Sequence, residues 1–284
     1  MLAAMSEAFP APPAPVFPPE RSTQHEQAMR YEDLTQDGRL MPLAIPPTMS
    51  GLWRAILVRH PGARNAATAG IIPLLTRITI ASRDAAIRVN KPLDVHAGFE
   101  LARGEDRLYM NVWCDLRGHA MKTSDLVPCG EMFAEHTFTR PFAPPGERKV
   151  TSLEVDGYPR IPEAVHDAPA PATAAEAPEG ARWLDELAPD AQDVGFTLDQ
   201  TDTNQHVNSL VYIRVFLDAA QRRLPELRVR SRALDIAYRK PSFAGDRVRA
   251  HVRLFERAGT IGAAGHIAGS DGKPRCYVRA IFAP

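Results

Sequence analysis

The segment from Asp202 to His206 brings together side chains that could activate water. It holds a carboxylate at Asp202, a carboxamide at Asn204 and an imidazole at His206. Attack of water on an acyl carbonyl needs a nucleophilic water, a donor for the developing oxyanion and a group that keeps both in register. His206 could take the proton, Asn204 could bind the carbonyl or position the water, and Asp202 could orient the imidazole or activate water itself. We predict these three residues as catalytic and leave their roles open.

An apolar stretch directly after this segment predicts a helix from Val207 to Leu224. Its apolar residues recur at three- and four-residue steps, as in Val207, Leu210, Ile213, Leu217, Ala220 and Leu224. The motif would then lie at a helix N-terminus, where backbone donors favour a negative oxygen by roughly 1 kcal/mol. The alternative is that Asp202 or Asn204 only caps the helix and that His206 is a surface residue.

Segments of alternating polarity follow the helix and predict antiparallel strands. They are Ala233 to Lys240, Asp246 to Glu256, Thr260 to Ala268 and Arg275 to Phe282, and Asp193 to Asp199 predicts a short strand before the motif. In the second segment Val248 and Ala250 fall on one face, while Arg247 and Arg249 fall on the other. One strand, one long helix and four antiparallel strands is the order of the hotdog fold, in which a sheet wraps a single helix.

The first half of the chain shows the same order of elements in divergent form. The predicted elements are a strand at Met29 to Thr35, a helix at Pro46 to His60, and strands near Leu74 to Lys91, Ala97 to Arg103, Arg107 to Arg117 and Glu131 to Arg140. We therefore predict an α+β fold of two tandem hotdog domains, each an antiparallel sheet wrapped around a long central helix. In the first half Asp37-Gly38-Arg39-Leu40 stands where the motif would be and predicts a turn, so one chemical centre is expected.

Two proline- and alanine-rich stretches predict the domain boundaries. The first is the N-terminus, interpreted as a disordered tail over residues 1–26, and the second includes Ala168 to Gly180. The expected organisation is an N-terminal hotdog domain at 27–145, a linker at 146–190 and a C-terminal hotdog domain at 191–284 that carries the motif.

The run D-T-N-Q-H-V-N-S followed by Tyr212 resembles the D-x-N-x-H-V-N-N-x-x-Y signature of acyl-acyl-carrier-protein (acyl-ACP) thioesterases, which are double-hotdog chains. The resemblance implies that Asp202, Asn204 and His206 are catalytic and that the first domain shapes the acyl pocket. Asn208 and Tyr238 are the predicted substrate-binding residues. Plant members carry a glutamate and a cysteine on the next strand, whereas Pro241-Ser242 stands here without a carboxylate. The run from Tyr238 to Asp246, YRKPSFAGD, resembles instead the strand and turn of bacterial hotdog thioesterases, which makes a bacterial-type relative the better description.

The expected function is hydrolysis of a fatty or polyketide-type acyl thioester of ACP or coenzyme A, a thioesterase reaction without metal or cofactor. One alternative is a hotdog dehydratase that removes water from a 3-hydroxyacyl thioester. The other is a non-catalytic module that binds acyl thioesters. The hydrolase releases free thiol together with free acid, the dehydratase leaves the thioester intact, and the binding module does neither.

The composition limits the kinds of partner and the cellular location that we expect. Lysine plus arginine and aspartate plus glutamate number 34 each, which gives no field for nucleic acid. No apolar run reaches the roughly twenty residues of a membrane span, and the three separate cysteines predict no metal site, so a cytoplasmic protein is expected. The two domains are expected to pair within the chain, as a monomer or a homodimer.

Basic residues are concentrated in the C-terminal half and predict either a solvated strand face or a surface for an acidic carrier protein or for coenzyme A phosphates. They are Arg228, Arg230, Arg232, Arg239 and Arg247. His251 and His266 lie on predicted strands and are interpreted as non-catalytic.

Overall fold

The computed structural model describes residues 9–123, 125–224 and 230–283. The chain divides into two compact units, one formed by residues 11–169 and the other by residues 170 onward together with 9–10. The division falls inside the predicted linker. Arg228 of the predicted basic group lies outside the described residues.

The N-terminal unit is a sheet with short helical segments. Its strands are β1 (Ser22–Gln27), β2 (Ile72–Ser82), β3 (Leu93–Arg103), β4 (Leu108–His119), β5 (Leu126–Thr139) and β6 (Ala164–Val165). The sheet order is β1-β3-β4-β5-β2 with antiparallel pairing, and β6 runs parallel to β3. Its helices are α1 (Ser50–Leu52), which continues as a π-helical turn at Trp53–Leu57, and α2 (Pro61–Thr68).

The helix predicted from Pro46 to His60 is broken into short pieces. Pro46 and Pro47 have no N–H donors, and the chain begins with a 3-10 turn at Pro46–Met49 before α1. The His25 ring packs against the backbone at Gly51, where a Cβ atom would lie 2.0 Å from His25 Nε2. The predicted strand at Met29 to Thr35 is instead a 3-10 turn, Tyr31–Asp33.

Much of the predicted disordered tail is ordered where the structure describes it. β1 pairs with β3, and the Trp113 Nε1–H donates to the Pro12 carbonyl at 2.8 Å. The Phe17 ring lies over Gly98, where a Cβ atom would come within 2.5 Å of the ring. A glycine in β3 therefore makes room for the N-terminal segment, which the tail's proline content alone did not predict. Residues 1–8 of the predicted tail lie outside the described residues.

The predicted linker also packs against its neighbours. In the N-terminal unit, His166 Nε2 and Glu135 Oε2 are 2.7 Å apart, and both side chains are buried. In the C-terminal unit, a 3-10 turn at Pro171–Ala175 contacts the sheet and buries Ala174 completely. The Arg279 guanidinium donates to the Glu176 carbonyl at 3.3 Å. The small side chains of this segment, from which we predicted a flexible linker, instead allow it to pack closely against a sheet face.

The C-terminal unit contains one long helix against an antiparallel sheet. Its elements are β7 (Arg182–Trp183), β8 (Ala188–Gly195), α3 (Ser209–Arg223), β9 (Arg230–Tyr238), β10 (Arg247–Arg257), β11 (Thr260–Gly269) and β12 (Pro274–Ala283). The sheet order is β9-β12-β11-β10-β7, and β8 also pairs with β10. The predicted strand at Asp193 to Asp199 is shifted, since β8 ends at Gly195.

Helix α3 forms as its apolar pattern predicts. It lies against β10, β11 and β12, and its buried residues are Tyr212, Ile213, Val215, Phe216, Ala219 and Ala220. The exposed residues Arg214, Asp218 and Arg222 are spaced by four and form one polar stripe. Among the described residues, no helix combines the length and apolarity that crossing a membrane requires.

We expect the free energy of unfolding to depend on the protonation of His136. Burial lowers the pKa of His136 from 6.5 to about 4, and its Nδ1–H donates to the Met110 carbonyl at 3.2 Å. The unfolded chain therefore binds this proton between pH 6.5 and about 4 while the folded chain does not, so stability falls as the pH falls through that window. Across this window, the difference in proton binding lowers the free energy of unfolding by about 3 kcal/mol in total.

Urea unfolding of the wild type and of His136→Gln at pH 7 and pH 4 tests this expectation. The variant does not titrate at this position, so the stability difference between the two proteins should narrow by about 3 kcal/mol at the lower pH. A constant difference would contradict it.

Gly265 should be required for the pairing of β10 with β11. A Cβ atom there would lie 1.9 Å from the His251 carbonyl oxygen, a backbone atom that cannot move without distorting β10. Gly265→Ala should lower the free energy of unfolding by more than about 2 kcal/mol in urea. Gly195→Ala is the matched control, because the nearest atom to its Cβ would be Arg247 Nη1 at 3.6 Å. Equal effects of the two substitutions would contradict this expectation.

Candidate active site

Asp202, Asn204 and His206 lie on one tight turn before α3. The Asp202 N–H donates to the His206 carbonyl at 2.9 Å, and the Gln205 N–H donates to the Asp202 carbonyl at 2.9 Å. Asp202 Oδ1 accepts the Asn204 N–H at 2.8 Å. Gln205 takes a positive φ of 62°, which lets the chain reverse within five residues. The turn therefore brings the three predicted residues together.

The three side chains are close in the chain but do not bond to one another. The Asn204 side chain is exposed, whereas Asp202 and His206 are half-buried. The Asp202 carboxylate binds a backbone N–H rather than the imidazole. No hydrogen bond reaches the His206 ring from the part of the chain that the structure describes. Its ring packs edge-on against Phe243, with centroids 5.2 Å apart at 79°.

The segment at Ser242 and Phe243 is held to the start of α3 by a pair of hydrogen bonds, which we call the Ser242 clamp. The Ser242 N–H donates to the Tyr212 hydroxyl at 2.8 Å. The Val207 N–H donates to the Ser242 carbonyl at 2.9 Å. Tyr212 is 3% exposed, and burial raises the pKa of its hydroxyl. The clamp thus fixes the backbone that carries Phe243 against His206.

Asn208 caps α3, which changes the predicted relation between motif and helix. The Asn208 side-chain oxygen accepts the Leu210 N–H at 2.9 Å. The helix begins at Ser209 rather than at Val207, so neither Asp202 nor Asn204 is the capping residue. The sequence had suggested that backbone donors of the helix N-terminus serve the motif, but one of them, the Leu210 N–H, is used by the Asn208 cap.

The predicted substrate-binding residues both have internal partners. Asn208 uses its oxygen for the cap, and the Tyr238 hydroxyl donates to the Ser209 carbonyl at 3.2 Å. Tyr238 is partly buried, and its ring lies 6.1 Å from that of Tyr212. Substrate binding by Asn208 and Tyr238 remains a prediction beside these structural contacts.

Sequence reasoning missed the roles of Ser242 and Phe243. The Ser242 Oγ is buried and has no hydrogen-bond partner among the described residues. Asp246 Oδ2 accepts the Phe243 N–H at 3.0 Å, and Gly245 takes a φ of 93°, so Gly245-Asp246 forms the predicted turn. The available signal was Tyr212 in the motif, because a buried tyrosine hydroxyl needs a partner. Over the described ranges, no three His, Cys, Asp or Glu side chains are grouped to hold a metal ion.

Comparison with known proteins gives a family match for the C-terminal unit. Residues 196–284 match the profile of the acyl-ACP thioesterase C-terminal domain. This part of the chain is similar to that family. The predicted relationship to acyl-ACP thioesterases is therefore confirmed, and the enzyme class is that of a thioesterase. A comparison with curated protein sequences gives no match.

Solved structures show the same fold at low sequence identity. An acyl-ACP thioesterase from Bacteroides thetaiotaomicron has a TM-score of 0.65 at 16% identity, over 92% of this chain and 98% of that chain. The 12:0-ACP thioesterase from Umbellularia californica has a TM-score of 0.58 at 11% identity, over 93% of this chain and 97% of that one. A MaoC-like dehydratase has a TM-score of 0.52 at 9% identity, over 93% and 97%. These likenesses concern the hotdog-like fold alone.

Removal of the Tyr212 hydroxyl should loosen the Ser242 clamp. Tyr212→Phe leaves the buried Ser242 N–H without its acceptor, at a cost of about 1–3 kcal/mol in the free energy of unfolding. Hydrogen exchange at the Ser242 amide should also accelerate. Tyr31→Phe is the control, because the Tyr31 side chain is 84% exposed. Unchanged exchange at Ser242 in Tyr212→Phe would show that the hydroxyl does not hold this segment.

Proposed function

We propose that this chain hydrolyses acyl thioesters of ACP or coenzyme A by direct attack of water at the turn from Asp202 to His206. The observation that carries the proposal is that one hydrogen-bonded turn presents a carboxylate, a carboxamide and an imidazole. This turn lies within the residues that match the acyl-ACP thioesterase C-terminal domain. We further propose that the acyl chain is of the fatty or polyketide type.

The contacts favour particular roles for the three side chains. Asp202 Oδ1 is fixed by the Asn204 N–H, which leaves Oδ2 available to bind and orient the attacking water. The exposed Asn204 carboxamide can donate to the thioester carbonyl oxygen. His206, with its ring held edge-on by Phe243, takes the proton from water. Asp202 is thus assigned to water rather than to the imidazole.

The proposed reaction has two steps. The water oxygen bonds to the carbonyl carbon as its proton moves to His206, and the carbonyl electron pair becomes an oxyanion that Asn204 stabilises. The oxyanion then collapses and the carbon–sulfur bond breaks. The leaving sulfur receives the proton from the imidazolium. The products are a free acid and a free thiol, and His206 returns to its neutral form.

We also propose that the two units are tandem hotdog domains with a single chemical centre. In the N-terminal unit, Asp37 hydrogen-bonds Thr35 and pairs with Arg39, and Gly38 has a φ of 79°. These contacts account for Asp37 as a turn residue. The N-terminal domain is then assigned to shaping the acyl pocket.

The test is thiol release from acyl-coenzyme A and acyl-ACP thioesters of varied chain length. His206→Ala and Asp202→Asn should each lower kcat/KM by about a hundredfold or more, because a proton acceptor and a water-binding carboxylate are lost. Asp199→Asn is the matched control for Asp202→Asn, since Asp199 is an exposed carboxylate just before the turn. His96→Ala, at a half-exposed histidine in β3, serves the same purpose for His206→Ala.

The outcomes separate the three candidate functions. Thiol and acid released in equal amounts, and lost in both variants, support the hydrolase. Loss of water from a 3-hydroxyacyl thioester without thiol release would instead identify a dehydratase. Binding without either reaction would identify a non-catalytic module, and release that is indifferent to both substitutions would place the chemistry elsewhere.

A further inference from the structure

A groove of about 430 Å³ lies in the C-terminal unit on the sheet face turned away from α3. The alternation of β10 places Val248 and Ala250 in the core, so Arg249 and His251 point to the opposite face. Strands β8, β10 and β11 and the turn after β11 form its walls. We call it the His-Arg groove, after its lining residues Arg247, Arg249, His251 and His266. Its volume suits a small-molecule ligand.

Two histidines stack at the centre of this groove. His251 of β10 and His266 of β11 are direct cross-strand partners, and their rings are 4.6 Å apart at an interplanar angle of 9°. Between the Arg249–Asp193 and His251–Pro189 pairs the register of β8 shifts, which is a β-bulge beside the rings. Bulges of this kind commonly re-aim side chains at binding sites. The histidines are half-buried and open to the groove.

The groove has an excess of positive charge. Asp193 binds Arg249 at 2.6 Å, which leaves the guanidinium of Arg247 without a hydrogen bond or ion pair among the described residues. Arg247 is exposed at the mouth of the groove. With both histidines neutral, Arg247, Arg249 and Asp193 give the lining a net charge of about +1, and protonation of both histidines makes it about +3.

The groove adjoins the candidate active site through the chain. Arg247 directly follows the turn that carries Phe243, the ring against His206. Arg247 also pairs with Gly195, which precedes the residues leading to Asp202. An anion held at Arg247 is therefore near the end of the sheet at which the proposed chemistry takes place.

We propose that the His-Arg groove binds a phosphate group of the thioester carrier. This inference rests on the proposed function, because a carrier is required. Coenzyme A and the phosphopantetheine arm of a carrier protein share this chemistry, and an arginine with two imidazoles suits a phosphate group. The groove thus supplies affinity for the carrier part of the substrate, apart from the acyl chain.

Binding should strengthen as the pH falls. Burial lowers the pKa of His251 and of His266. The positive charge of Arg249 lowers the pKa of His251 further, and the neighbouring His251 lowers that of His266. Both rings are therefore neutral at pH 8 and gain protons only below the usual range, so positive charge appears as the pH falls. The other charged or titratable groups on this face are Asp193 from β8, Arg247, Arg249 and Arg253 from β10, Tyr277 from β12, and Asp271 and Lys273 from the turn. Asp190 of β8 is bound by Arg222 of α3.

Kinetics with two substrate types tests the assignment. Arg247→Ala and His251→Gln should raise KM for acyl-coenzyme A or acyl-ACP about tenfold each with little change in kcat, since each loses one charge-assisted contact. KM for an acyl-N-acetylcysteamine thioester, which has no phosphate, should stay the same. Arg182→Ala is the control, because Arg182 is an exposed arginine paired with Glu256 in the same unit. Equal KM changes for both substrate types would overturn the proposal.

A direct binding measurement distinguishes failure of this inference from failure of the proposed function. Pantetheine 4′-phosphate and adenosine 3′,5′-bisphosphate are titrated while the imidazole resonances of His251 and His266 are followed. Shifts with pantetheine 4′-phosphate support a held arm phosphate, and shifts with the bisphosphate alone support a held coenzyme A nucleotide. No shift with either probe at millimolar concentration, or a shift with Zn²⁺ alone, overturns the proposal. Phosphate binding without thiol release would contradict the proposed function but not phosphate binding in the groove.

Sulfate provides the pH test, because its charge does not change between pH 8 and pH 5.5. Its affinity should rise at least about tenfold over this range in the wild type. The double substitution His251→Gln, His266→Gln should remove that rise. A rise of the same size in the double variant would overturn the role of the two histidines.

Discussion

The candidate active site depends on a buried tyrosine hydroxyl that meets a backbone amide. Tyr212 lies inside α3, where burial excludes water, so its hydroxyl gains most from a partner within the protein. The Ser242 N–H supplies that partner, and the Val207 N–H bonds the carbonyl of the same residue. Through this clamp one helix fixes both the turn that precedes it and the segment at Phe243. The positions of His206 and Phe243 therefore depend on hydrogen bonds made by their neighbours, Val207 and Ser242, and by Tyr212.

The sequence predicted the C-terminal domain well because its physical signals are local. The apolar periodicity of α3 and the alternation of β10 are properties of neighbouring residues, and both elements form within a few residues of the predicted bounds. The grouping of Asp202, Asn204 and His206 also follows from short spacing. The clamp at Ser242 could not be predicted in this way, since it joins residues 30 positions apart.

The N-terminal half was less predictable because its order comes from long-range contacts. The proline-rich start of the chain has weak local preferences, yet Trp113 binds the Pro12 carbonyl across 101 positions. The predicted linker behaves in the same way at the start of the C-terminal unit, where Ala174 is buried by contact of its 3-10 turn with a sheet rather than by any periodic pattern. The amino-acid composition correctly indicated that these segments have a low intrinsic propensity for helix or strand. It did not indicate that the Phe17 ring packs over Gly98 of β3.

The two faces of strand β10 lie in different environments, one in the core and one at the His-Arg groove. Its even-numbered residues from Val248 to Leu254 are buried under α3, whereas Arg247, Arg249 and His251 face the His-Arg groove. Because adjacent side chains point in opposite directions, substitutions at odd and at even positions have different physical consequences. Residues that line the groove can change without leaving a cavity or a clash in the core beneath them. The period of two thus separates the side chains available to a ligand from those that stabilise the fold.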